Sequence, residues 1–67
     1  MIGLYQMRLR ILCVARGWGR PKYENIKGNS GFYVTVTVNG DSFTGPEAYG
    51  LDYAKDLAAQ AAYRQLK

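Results

Sequence analysis

The clearest alternation in the chain runs from Phe32 to Val38. Phe32, Val34, Val36 and Val38 fall on one side, and Tyr33, Thr35 and Thr37 on the other. A period of two marks a strand with one buried face. Asn39-Gly40 follows, the pair a type I′ turn favours because both central positions need positive φ, so a hairpin is expected to run into Asp41-Ser42-Phe43-Thr44. Upstream, Lys22 to Lys27 is a weaker strand candidate whose Tyr23 and Ile26 break alternation, and Gly28-Asn29-Ser30-Gly31 is a turn by composition. Leu4 to Arg16 contains neither Gly nor Pro and predicts a first helix, closed by Gly17 and Gly19 with Pro21 just beyond. After a loop from Gly45 to Gly50, Leu51 to Lys67 is alanine-rich and predicts a second helix. The order α-β-β-β-α describes an α+β fold, a three-stranded antiparallel sheet with two helices packed on one face.

Helical spacing assigns the core. Ala54, Ala58, Ala59, Ala62 and Leu66 share one side of the second helix, where small side chains let its backbone lie close to a sheet of Phe and Val. Leu9, Leu12 and Cys13 form the matching stripe on the first helix. A second apolar stripe, Met7, Ile11 and Val14, recurs at spacings of four and three on the opposite side and is bordered by Arg8 and Arg10. Three readings are open: the segment Met1 to Leu4 folds over this stripe, the stripe is incidental exposed apolar surface, or it is a protein contact of the kind that contiguous apolar patches mark.

Composition narrows the chemistry. At 67 residues the chain has room for one domain, residues 1–67, and one modest core. With no histidine and one cysteine, Cys13, there is no intrachain disulfide, no Cys/His zinc site and no imidazole base. No metal, cofactor, small-molecule substrate or catalytic function is expected. Nine Lys and Arg against five Asp and Glu give a net charge of +4, which favours a polyanion or an acidic protein surface as partner. The lone cysteine and the lack of any long apolar run predict an intracellular protein, cytoplasmic or nuclear, with no membrane contact.

Four segments in register resemble the double-stranded-RNA-binding domain family over Leu9 to Leu66. Leu9 to Tyr23, with Gly17-Trp18 and Pro21-Lys22-Tyr23, is similar to the family's first helix, its Gly-Trp exit and its P-x-Y strand entry. Phe32 to Gly40 resembles the second strand and turn, and Phe43-Thr44-Gly45 the third strand. Ala54-Lys55, Ala58-Ala59 and Ala62-Tyr63 resemble the A-K-x-x-A-A-x-x-A-L signature of the closing helix. The resemblance implies a module that holds duplex RNA by shape. The first helix and the loop between the first two strands meet successive minor grooves, and lysines of the last helix grip the phosphates between them.

Each of these three surfaces is altered. The family's K-K-x-A-K motif falls on Leu51-Asp52-Tyr53-Ala54-Lys55, so Lys55 alone is kept and an acid replaces a lysine. Asp52 complements the dipole of the helix it opens, yet it repels a phosphate. The groove-reading loop is reduced to Lys27-Gly28-Asn29-Ser30-Gly31, in which Lys27 and Asn29 still offer contacts. Ile11 stands where the family commonly has a glutamate. Two functions follow. One is weak, sequence-independent binding of double-stranded RNA by Arg8, Arg10, Lys27, Asn29 and Lys55. The other is a protein-interaction or dimerisation module that uses Met7, Ile11 and Val14 to bind itself or another protein.

Overall fold

In the computed structural model, which describes residues 2–67, the elements are α1 (Leu4–Arg16), β1 (Lys22–Lys27), β2 (Phe32–Val38), β3 (Asp41–Thr44) and α2 (Leu51–Leu66). The strands pair antiparallel in the order β1-β2-β3. Asn39 at φ 50° and Gly40 at φ 89° form the expected positive-φ turn, and they set the register of Val38 opposite Asp41 and Val36 opposite Phe43. On the solvent side the hairpin is laced by hydroxyl pairs, Thr35 Oγ1 with Thr44 Oγ1 at 2.8 Å and Thr37 Oγ1 with Ser42 Oγ at 2.9 Å.

Register also settles the broken alternation in β1. Tyr23 lies opposite Val36 and so turns to the core side, whereas Ile26 lies opposite Tyr33 on the outer side, where both are exposed. Tyr23 and Ile26 are three residues apart, an odd separation that a pleated strand must send to opposite faces.

Val34, Val36 and Val38 of the central strand are buried together with Ala54, Ala58, Ala59 and Ala62 of α2 and Leu9 and Cys13 of α1. Both helices therefore share one side of the sheet, with α2 lying across the strands and α1 resting chiefly on α2. Trp18, Tyr23, Phe32, Phe43 and Leu66 pack around this cluster. Leu12 is only partly buried, so Leu9 and Cys13 are the true anchors of α1. Burying a Leu side chain is worth about 1.5–3 kcal/mol, a large share for so small a core. The C-terminus of α1 is closed by Gly17 at φ 70°, with the Trp18 N–H donating to the Cys13 carbonyl at 2.9 Å. Arg16 then reaches across to the other helix end, its Nη1 donating to the Leu66 carbonyl at 2.6 Å while its guanidinium lies 5.1 Å from the Trp18 ring centre.

Candidate nucleic-acid interface

Two carboxylates join the three segments expected to meet RNA. The N-cap of α1 is Gly3, which has no side chain to offer the first-turn amides. Asp56 of α2 takes its place: Oδ1 accepts from the N–H groups of Tyr5 at 2.9 Å and Gln6 at 3.0 Å. These are the second and third helical amides, the ones an N-cap Asp would satisfy. Gln6 completes the start by accepting from the Gly3 N–H at 3.1 Å. Just before α2, Glu47 Oε2 accepts from the N–H groups of Ser30 at 2.9 Å and Gly31 at 3.0 Å, and Ala48 and Phe32 exchange two backbone hydrogen bonds. Residues 47–56 thus fasten the start of α1 on one side and the loop between β1 and β2 on the other. Both carboxylates are bonded to backbone donors.

The candidate RNA residues are distributed around this tie. Lys27, the last residue of β1, and Asn29, on the fastened loop, are exposed, and Lys55, beside Asp56, is half-buried on the second turn of α2. Arg8 is exposed on α1 with its guanidinium 5.3 Å from the Tyr5 ring centre, a cation–π arrangement. Arg10 is not part of that group. It turns to the other flank of α1 and lines a cleft of about 250 Å³ with Arg20, Gln6, Ile2, Pro21 and Tyr23. Among the described residues, no acidic side chain lines this cleft. Asp52 is exposed in the first turn of α2, so the acid in the altered lysine motif faces solvent next to Lys55's turn.

Met7, Ile11 and Val14 are 52%, 65% and 74% exposed, so the outer stripe of α1 is open among the described residues. Ile2 and Leu4 do not cover it, being themselves half-exposed, and Met1 lies outside the described residues. The arginines border the stripe as expected, Arg8 on one edge and Arg10 on the other.

Titratable groups in the interior are tuned by burial. It pushes the thiol of buried Cys13 up, because burial disfavours the thiolate. The Tyr23 hydroxyl is pushed up to about 12 by burial first, then by the nearness of Cys13 and Asp56. Among the described residues, no group of three or more His, Cys, Asp or Glu side chains is placed to hold a metal ion, and no helix is long and apolar enough to cross a membrane.

Sequence reasoning missed Asp56 and Glu47, whose partners are distant in the chain, and it missed that Arg20 and Arg10 line one cleft. The only local hint for Asp56 was a glycine at an N-cap with no side chain to cap the helix. No family model matches the chain, and no curated protein or solved structure matches it either.

Proposed function

We propose that the chain is a non-catalytic module of the double-stranded-RNA-binding type, holding duplex RNA weakly by shape and phosphate charge without reading its sequence. The observation that supports this most is the tie made by residues 47–56. A shape reader needs several short segments at fixed spacing, and a loop ordered only on binding would subtract its ordering entropy from the affinity. Here the loop bearing Asn29, which follows Lys27 at the end of β1, the start of α1 and the turn bearing Lys55 are fastened before any ligand arrives. The two acids that do the fastening are bonded to backbone N–H groups, and the net charge stays at +4. Binding is weak because exposed Asp52 stands where a second cation would meet a phosphate. An intracellular setting, cytoplasmic or nuclear, goes with this reading.

Titration with an RNA duplex longer than about 16 base pairs tests it, beside a single strand and a DNA duplex of the same sequence. The expected result is a preference for the RNA duplex and a log–log salt slope of about −2 to −4. Equal affinity for all three, or none at low salt, would refute the reading.

A further inference from the structure

Between Arg8 and Arg10, the outer face of α1 carries an apolar stripe that the proposed RNA contacts leave unused. Leu4, 57% exposed, lies on the same line as Met7, Ile11 and Val14. The spacing from Leu4 to Met7 to Ile11 to Val14 is three, four, three, the repeat of a coiled-coil seam. Leu9 and Cys13, fully buried, hold the opposite side of the helix to the core, so the seam is not a loosely packed part of the interior. It spans about 15 Å at 1.5 Å per residue, enough for a partner helix of two heptads. Contiguous exposed apolar surface of this kind marks interaction sites.

Charge selects the occupant. In this heptad frame Arg8 and Arg10 occupy the two positions that flank the seam, the positions whose charges set partner choice in helix pairs. From Leu4 to Arg16 the helix has three arginines and no Asp or Glu. A second copy would therefore bring the same apolar seam with flanking arginines and no acid on the helix to meet them. A helix whose seam is flanked by Glu or Asp gains both the burial and the pairing. We infer that the outer face of α1 is a docking site for an acidic amphipathic helix of a partner protein. The seam supplies the affinity, and Arg8 and Arg10 supply the choice of partner.

Two synthetic helical peptides of about 18 residues, five turns, serve as probes. Both carry leucine at the seam positions; one has Glu at the flanking positions and the other Lys. Backbone amide shifts of the uniformly labelled protein report binding. The acidic peptide should saturate and move the amides from Leu4 to Val14, and the basic peptide should bind at least about tenfold more weakly. Ile11→Glu and, independently, Val14→Glu should each remove binding of the acidic peptide while the dispersed amide spectrum of the folded domain persists. Arg8→Glu with Arg10→Glu should reverse the preference and favour the basic peptide. Equal binding of the two peptides, or none, overturns the proposal. So does a sedimentation mass that doubles with concentration and returns to the monomer value in Ile11→Glu, because the seam then serves a second copy. Ile11-dependent binding to phosphatidylserine vesicles without peptide binding assigns the face to an anionic membrane instead and equally overturns it. Ile11→Glu that abolishes duplex RNA binding, with no peptide bound by the parent protein, assigns the face to RNA.

Discussion

The Asp56 carboxylate occupies the space a side chain on Gly3 would fill. A Cβ built on Gly3 would run into Asp56 Oδ1, the same oxygen that caps the first-turn amides of α1. A residue more than fifty positions away in the chain thus does the work of a local N-cap and couples the start of one helix to the side of the other. The backbone at Gly3, φ −72° and ψ 163°, suits any residue, so the demand for glycine is steric and not conformational.

Asp56→Ala should cost about 1 kcal/mol, the usual value of a lost N-cap, offset by up to about 0.5 kcal/mol because alanine is the better helix former. Gly3→Ser in the parent protein should also destabilise, since its side chain meets Asp56. Combined with Asp56→Ala, the same Ser should recover stability, because it now reaches the amides that Asp56 has left. Urea unfolding of the four proteins gives the coupling, and simple additivity would show that the two residues do not share one site.

The two faces of α1 should respond oppositely to substitution. Leu9→Ala empties a fully buried site and is expected to cost about 2–5 kcal/mol. Leu12→Ala should cost less, because Leu12 is only partly buried. Ile11→Glu changes an exposed side chain and should stay within about 0.5 kcal/mol of the parent. Urea midpoints at unchanged slope measure all three.

Tyr23 predicts an alkaline limit to stability. Its hydroxyl has an ordinary value of 10.0 and is pushed up to about 12 in the fold, so the native state holds the proton more tightly than the unfolded chain. That contribution is fully present below pH 10 and is lost as pH rises from about 10 to about 12. The ring is partly exposed at the cleft shared with Arg10 and Arg20, so the loss should stay below about 2 kcal/mol. Unfolding free energies at pH 9 and above 11, with Tyr23→Phe as control, check this: the variant should lose less stability over that interval.

What was legible in the chain was what local rules control. The Phe32–Val38 alternation and the Asn39-Gly40 turn fixed the hairpin because both act within a few residues, and the structure keeps the same boundaries. The alanine face of α2 was legible for the same reason. The facing of Tyr23 and Ile26 needed the pairing register, which a strand without alternation does not reveal. Helical spacing placed Leu12 among the core residues, but it lies at the border of the inner arc of α1, and only the packing of α2 decides how far that arc extends. Asp56 and Glu47 were illegible because each bonds backbone amides of a distant segment, and an amide leaves no mark in the sequence.

The altered start of α2 supplies the sharpest check on RNA binding. Asp52 is exposed one turn before Lys55, so changing it alters charge without disturbing the core or the Asp56 cap. Asp52→Lys replaces a repelling group by an attracting one at the position where the resembled family carries a lysine. It should tighten duplex binding and steepen the salt slope by about one, the signature of one more phosphate neutralised. The change removes an acid from a helix N-terminus and should cost about 0.3–1 kcal/mol of stability, so affinity and stability should move in opposite directions. Lys55→Ala should weaken binding and flatten the slope by a similar amount. Fluorescence anisotropy across a salt series measures both. If Asp52→Lys leaves affinity and slope unchanged in a protein that does bind duplex RNA, α2 is not the phosphate grip, and the Arg10 and Arg20 cleft becomes the place to look for it.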